Sequence, residues 1–174
     1  MKKIERNSWF IEGFSILAKE GFSRITIENL CTRLKVTKGS FYHHFKNMDG
    51  YTAALMEYWL ETNTYLFIRK TEELKNVKEK YILLSKLAAD AKQRVEVEIR
   101  AWGYFNPIVS DCVKKVDGIR LEYVEQLGIE TGLDKKDARH YAMLEYATLV
   151  GIQHLFPELG QDEVNDLLKM HMNI

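Results

Sequence analysis

The chain has 174 residues, no net formal charge, two prolines, ten glycines and two cysteines, and that length supports a sizeable core arranged as one large domain or two small ones. Cys31 and Cys112 stand far apart and belong to no CxxC or Cys/His cluster, which excludes a disulfide framework and reads as two free thiols in a reducing compartment. The basic start MKKIERNSWFIEGF is broken by Glu5 and Glu12, and no stretch approaches about eighteen uncharged apolar residues; the expectations are no signal peptide, no membrane partner and a soluble, cytoplasmic protein.

Leu, Glu, Lys and Ala recur at helical spacing without long β-branched alternation, which predicts an all-α fold. The first helix is predicted from about Asn7 to Lys19. Asn7 or Ser8 would cap it, and Trp9, Phe10, Gly13, Phe14, Leu17 and Ala18 share one face. Gly21 ends it in a left-handed conformation, and Phe22 tucks back on the core. Gly13 costs about 1 kcal/mol against alanine inside a helix, and the expected compensation is close approach of another helix backbone. Thr26 opens a second helix with Ile27, Leu30, Cys31 and Leu34 on its apolar face; its hydroxyl and the free helix N–H groups also form a phosphate site. After a break at Lys35 and a buried Val36, Thr37 caps a short helix reaching about Phe45. That helix carries Lys38, Gly39, Ser40, Tyr42, His43 and His44 with little apolar cover, while Phe41 and Phe45 face inward toward Phe14, Leu17 and Leu30. A short helix rich in hydrogen-bonding side chains suits presentation into a groove, the arrangement of a helix-turn-helix whose second helix enters the major groove of DNA.

Asn47 caps a fourth helix, with Gly50 where a capping box would place an acidic side chain. Neither proline nor a Ser/Gly run interrupts 47–70, so this helix reads as a rigid connection to the body. Residues 76–93 place Val77, Tyr81, Leu84, Leu87, Ala88 and Ala91 on one face. Residues 95–105 read as a short helix despite the alternation of VEVEI. Asn106-Pro107 ends it, and Pro107 starts a helix running to about Glu130, with Ile108, Val109, Cys112, Val116, Ile119, Tyr123, Val124 and Leu127 inward. Gly132 breaks the chain again and Asp134 caps a helix over 135–155, in which Gly151 and the alanines permit close helix contact. A final helix over 161–172 carries Val164, Leu167, Leu168 and His171.

Charge is uneven along the chain. Residues 1–50 hold nine basic against five acidic side chains, a balance of +4, and the remaining 124 residues carry −4. A basic N-terminal module on an acidic body fits a nucleic-acid binder with a second, separate partner function.

The segment WFIEGFSILAKEGFSRITIENLCTRLKVTKGSFYHHFKNMDGY is similar, almost position by position, to the N-terminal domain of TetR-family transcriptional regulators. The landmarks are Ala18, Gly21-Phe22, Thr26-Ile27, Leu30, Val36, Thr37-Lys38-Gly39, Phe41-Tyr42-His43, Phe45 and Lys46. The phrase IRAWGYFNPIVSDCVKKVDGIRLEYVEQL resembles, more loosely, the body of one broad group of such proteins. The resemblance implies a three-helix DNA-binding domain over 1–47 and a helical effector-binding and dimerisation domain over 48–174. It implies backbone contacts to double-stranded DNA from Thr26, Thr37 and Tyr42, phosphate or base contacts from Lys38 and His43, close approach at Gly39, a base edge within reach of Ser40 and a phosphate at Lys46. Lys35 departs from the family's usual glycine, at about 1 kcal/mol of left-handed strain, and adds a basic contact. The family often has alanine at the place of Gly13. The last two helices, 135–155 and 161–172, would pair with their copies in a homodimer on a palindromic operator. A small-molecule effector would enter the body, with Trp59, Tyr65, Trp102, Phe105, Tyr123 and Tyr146 as candidate lining, and would release the protein as a repressor. The alternative is a regulator, or a protein-interaction module, without a small-molecule inducer.

Chemistry finds no support in the residues. Ser110 and Asp111 have no patterned histidine partner, His140, His154 and His171 form no metalloenzyme motif, and the glycines form no phosphate loop. His43 and His44 are adjacent on a helix and point apart, against a metal site. No catalytic residue, metal or cofactor is expected.

Overall fold

A computed structural model describes residues 4–91 and 93–172, with the side chains of Lys169, His171 and Met172 outside the description. The described residues form ten α-helices and no strand. These are α1 (Arg6–Glu20), α2 (Ile27–Leu34), α3 (Lys38–His44), α4 (Met48–Leu60), α5 (Leu66–Glu72), α6 (Val77–Asp90), α7 (Gln93–Gly103), α8 (Pro107–Glu130), α9 (Lys135–Leu155) and α10 (Gln161–Met172). The chain is all-α, as its spacing predicts. A 3₁₀ turn, Phe22–Arg24, links α1 to α2, and a π-helical turn, Glu61–Tyr65, links α4 to α5.

Helix starts follow the capping side chains. Thr26 accepts from Asn29 N, Thr37 from Ser40 N, Asn76 from Lys78 N and Glu79 N, and Asp134 from Asp137 N. Asn47 Oδ1 accepts from Gly50 N at 2.8 Å, and Asn106 Oδ1 from Ile108 N at 3.0 Å just before Pro107. Each cap satisfies amides that the first helical turn leaves without partners. α1 begins at Arg6 behind Glu5, which makes no side-chain cap, so neither Asn7 nor Ser8 holds that place, and α5 also starts without a side-chain cap.

The chain packs as two compact units that do not follow chain order: Met1–Trp59 with Arg94–Val113, and Leu60–Gln93 with Lys114–Ile174. Packing does not divide the chain at residues 47 and 48: α4 as far as Trp59, α7 and the start of α8 join the N-terminal helices.

In the first unit the core is aromatic. Trp9, Phe41 and Tyr51 are fully buried together with Ile16, Leu17, Leu30 and Leu55. Phe41 and Phe45 anchor α3 as expected, but on different partners. Phe41 lies edge-on to Trp9 at 5.5 Å and beside Tyr51 at 5.8 Å, and Phe45 meets Tyr51 at 5.1 Å, whereas Phe14 packs on Tyr58 at 6.0 Å. Val36 is half-buried rather than buried. Lys35 is left-handed (φ 55°, ψ 48°), and its N–H reaches Thr32 O while Val36 N reaches Cys31 O. This paired 5→2 and 6→1 closure ends α2 with a lysine where glycine is the unstrained choice. Relief of about 1–2 kcal/mol of strain outweighs the roughly 0.5–1 kcal/mol of chain entropy that glycine loses. K35G is therefore expected to melt a few degrees higher by calorimetry, while its DNA affinity falls and its salt dependence flattens because a basic side chain is gone.

In the second unit, Ala89, Ile152, Val164 and Leu168 make a core joining α6, α9 and α10, flanked by Leu149 and Leu159. The expected apolar face of α6 is only half-buried; the buried side chains there are Ala89 and, unexpectedly, Lys80. A lysine buries its methylenes when its ammonium has partners. Lys80 Nζ has them, 3.0 Å from both Glu72 oxygens and 3.2 Å from Glu130 Oε2. Tyr123 donates its hydroxyl to Glu72 Oε1 at 2.6 Å. That hydrogen bond, and then Lys80, hold the Glu72 carboxyl below its ordinary value of 4.5. The stability carried by Glu72 is thus complete above that ordinary value and is lost as the pH falls through the lower, folded-state one. Y123F removes the larger cause, so its acid unfolding, followed by circular dichroism, is expected to begin at higher pH than that of the parent chain.

Two further expectations are corrected here. The alanines do permit close approach, at Gly128, where a Cβ would lie 3.2 Å from the Ala138 Cβ, but Gly151 makes none within the chain, since a Cβ there would meet nothing within 4 Å. The connection from α4 is not one regular helix. The π-helical turn interrupts it, and Arg120 of α8 holds that turn with Nε on Thr64 Oγ1 at 3.1 Å and Nη2 on Asn63 O at 3.2 Å. The expected inward His171 lies outside the described side chains.

Candidate nucleic-acid interface

α2, the left-handed turn at Lys35 and α3 set out the polar residues singled out above. Thr26, Lys35, Thr37, Lys38, Gly39, Tyr42, His43 and Lys46 are exposed, and Ser40 is half-buried. Tyr42, 55 % exposed, stands edge-on to Phe41 at 5.6 Å, so the buried ring beneath it orients the exposed one. His44 turns inward, its ring 6.0 Å from Trp9, and His43 is exposed; contrary to the expectation that they point apart, the two rings stand edge-on at 5.3 Å. The hydroxyls of Thr26 and Thr37 accept amides from their own helices, which leaves their O–H hydrogens available to an outside acceptor. Only Thr37 Oγ1, at 3.6 Å, comes near a Cβ built on Gly39, so the room above that residue faces outward.

Ion pairing sorts the basic residues of this module. Arg33 is committed to the fold: its guanidinium bonds Glu12 and Glu20 and lies 3.3 Å from Ser15 Oγ, locking α2 on α1. Its hydrogen bond with Glu12, opposed by some loss of hydration, raises its pKa further. Arg24 also pairs with Glu20, at 3.6 Å. Lys35, Lys38 and Lys46 have no ion pair among the described residues, and all three lie around the helix-turn-helix. Three cations are thus available to a polyanion beside α3, although the chain as a whole is neutral.

The supports of this surface were less visible in the sequence. Tyr51 donates its hydroxyl to Trp9 O at 2.9 Å, and burial pushes its pKa far up, so the phenol keeps its proton to donate. Burial also raises the Cys31 thiol, which sits 3.6 Å from Thr37 O. Glu98 of α7 accepts the Phe22 amide at 3.2 Å. No local signal marks Glu98, which lies 76 positions from its partner.

The six candidate pocket residues are divided between the units. In the first, Trp59 is buried and donates to Glu96 Oε1 at 3.1 Å; Trp102 is buried and stacks on Phe22 at 6.5 Å; Phe105 is 77 % exposed and stacks on Phe22 at 5.7 Å. In the second, Tyr65, Tyr123 and Tyr146 are half-buried. Tyr146 donates to Asp117 Oδ1 at 2.6 Å and lies 3.5 Å from Arg120 Nη1. Nearby, burial pushes the Tyr141 phenol up to about 12, with Glu145 adding to the effect.

Residues 13–55 match the family model described as bacterial regulatory proteins, tetR family. That segment belongs to the TetR family's N-terminal domain. The matched segment runs from within α1 into α4 and contains the whole surface just described. No curated protein matches the chain in sequence. Solved structures resemble it along nearly its full length. A transcriptional regulator from Rhodococcus sp. Rha1 has 15% identity, covers 98% of this chain and 95% of its own, and has a TM-score of 0.77. A TetR transcription regulator from Haloarcula marismortui has 16% identity, 96% and 94% coverage and a TM-score of 0.76. A transcriptional regulator from Saccharomonospora viridis, solved in complex with choline, has 14% identity, 97% and 95% coverage and a TM-score of 0.75. At such identities the likeness is one of fold. Among the described residues no helix is long and apolar enough to cross a membrane.

Proposed function

We propose that this protein is a homodimeric TetR-family repressor that binds a palindromic operator and leaves it when a small molecule enters its helical body. The observation that carries the DNA assignment is the arrangement of Lys35, Lys38, Tyr42, His43 and Lys46, exposed around an α3 anchored by Phe41 and Phe45. Residues 1–47 read the DNA, and 48–174 dimerise and respond. Selection of random DNA fragments by the purified protein at ~0.1–0.2 M salt tests it, because binding through phosphates alone is largely suppressed there. Recovery of a palindromic motif is the expected result; recovery of none by folded protein rejects the proposal.

The dimer reading draws on α9. Leu144 (63 % exposed), half-buried Thr148, Gly151 with open space above it, and Leu155 (74 % exposed) recur at helical spacing, with exposed Phe156 just beyond and Met170 exposed on α10. An apolar stripe with a small residue at its centre lets a second helix approach closely. A two-fold axis through it would set two copies of α3 for successive major grooves, about 34–36 Å apart. The double variant L144K/L155K is expected to sediment as a folded monomer and to lose operator binding; a dimer that persists would place the interface elsewhere.

The effector reading draws on the choline-bound relative of the same fold. One observation favours the reading without an inducer: the hydroxyls of Tyr123 and Tyr146 and the indole N–H of Trp59 already bond within the chain. Operator binding measured across a panel of small metabolites separates the two. Release by one of them supports induction, and indifference to all supports the second reading.

A further inference from the structure

Resting on the DNA-binding reading, we propose that Glu98 of α7 is a positioning residue for DNA contact, holding the turn that presents Thr26 and the N-terminus of α2. The turn between α1 and α2 is short and opens on Gly21 at φ 82°, a conformation that glycine adopts without strain. Its next amide, Phe22 N–H, donates to Glu98 Oε2 at 3.2 Å, and the same carboxylate lies against Gly21, where a Cβ would come within 3.1 Å of it. The turn is held a second time by its side chain, since Phe22 stacks nearly parallel on Trp102 (11°) and Phe105 (20°). Glu98 and these two rings belong to α7 and the residues just after it.

From Phe22 the hold passes along backbone to the contact surface. Ile25 N bonds Phe22 O at 3.0 Å, and Thr26 N bonds Arg24 O at 3.0 Å. Asn29 Nδ2 also bonds Arg24 O, and Thr26 Oγ1 accepts Asn29 N at 3.1 Å. Every residue from Phe22 to Asn29 that sets the direction of the Thr26 hydroxyl is therefore bonded into a chain whose outer end is Glu98. α7 is fixed elsewhere too, by buried Glu96, which accepts the indole N–H of Trp59 near the end of α4. Two carboxylates two residues apart thus tie α7 to the end of α4 and to the turn before α2. Glu98 needs no contact with DNA to act; it supplies an acceptor that no residue within the turn provides.

The test uses the full-length protein and a fluorescein-labelled duplex of about 30 base pairs at several salt concentrations from about 20 mM upward, read by anisotropy. E98A is expected to raise Kd roughly tenfold, because the loosened turn must then be ordered on binding in each of two subunits, with an unchanged salt slope because Lys35, Lys38 and Lys46 are intact. E98Q keeps an oxygen acceptor for Phe22 N–H and is expected to bind within about twofold of the parent chain. Parent-like binding by E98A, or E98Q falling as far as E98A, overturns the proposal. Should E98A fail to fold, hydrogen exchange of the Phe22 amide in the parent protein decides: slow exchange supports the hold and exchange at the free-peptide rate overturns it. K38A is the control. If neither the parent protein nor K38A binds any duplex, it is the DNA reading that has failed; if the parent binds and K38A weakens it, the result with E98A speaks for Glu98 alone.

Discussion

Gly13→Ala is expected to lower the thermal midpoint, against the ordinary gain of about 1 kcal/mol that alanine brings inside a helix. A Cβ at residue 13 would lie closer than 3.0 Å to the Tyr51 hydroxyl, a separation real Cβ atoms essentially never show, and 3.4 Å from the Leu55 methyls. The leucine contacts are ordinary; the tyrosine contact is not. Tyr51 is fully buried among Phe10, Phe41 and Phe45, so its ring has no free direction in which to retreat. Overpacking of this kind costs about 1–3 kcal/mol, and breaking the bond from Tyr51 to Trp9 O adds about 1–3 more. Set against the propensity gain, the net loss is about 1–5 kcal/mol, or roughly 2–20 °C for a chain of this size. Y51F removes the obstructing oxygen and forfeits only the hydrogen bond, so the double variant G13A/Y51F is expected to recover most of the loss. A double-mutant cycle should then give a coupling of at least about 1 kcal/mol. A G13A protein as stable as its parent would mean that Tyr51 does not occupy that space. Because Tyr51 supports Phe41 and Phe45, the same substitution is expected to weaken DNA binding through α3.

Gly13 also shows where reading the sequence stops. Its cost in a helix is local and legible, and so is the need for a compensating neighbour. That the neighbour is a tyrosine hydroxyl from α4 rather than a helix backbone depends on a packing partner 38 positions away. The legible features are those whose physics is confined to a few residues. Thr26, Thr37, Asn47, Asn76 and Asp134 announce helix starts because each cap bonds an amide two or three positions on. Lys35 announces a left-handed turn by standing between two such helices. α1 resisted because Glu5 makes no side-chain cap, leaving no local mark at its start. The π-helical turn at Glu61–Tyr65 resisted because it is held by Arg120, more than fifty positions on, and not by any helix breaker. Buried Lys80 breaks the rule that lysine stays outside only because Glu72 and Glu130 converge on it from two other helices. The exposure of Lys38, Tyr42 and His43 was legible for a further reason: so short a helix spends its apolar Phe41 on the core and leaves its other faces to polar side chains.

Tyr42→Ala carries the largest expected effect on function. The side chain is 55 % exposed and its described ring contact is with Phe41, which is itself fully buried on Trp9. Removing Tyr42 therefore leaves the anchor of α3 intact, and the thermal midpoint is expected to stay within about 2 °C of the parent, the scale of a surface change of up to 0.5 kcal/mol. A phenol that donates to a phosphate oxygen makes a hydrogen bond to a charged group, worth about 1.5–3 kcal/mol. In a two-fold complex the contact occurs twice, so the loss is about 3–6 kcal/mol, or roughly a hundredfold to ten-thousandfold in operator affinity. The salt slope is expected to stay where it was, since a neutral hydroxyl displaces no counterion; the lysines behave oppositely, and K38A or K46A should weaken binding to every sequence and flatten the slope. Tyr42→Phe separates the hydroxyl from the ring. If Y42F binds like the parent, Tyr42 acts through its apolar face against sugar or base. If Y42F falls with Y42A while both proteins melt normally, the hydroxyl makes the contact. A Y42A protein that melts far below its parent would instead place Tyr42 among the residues that hold α3 to the core, and the exposed edge of the recognition helix would then rest on Lys38 and His43.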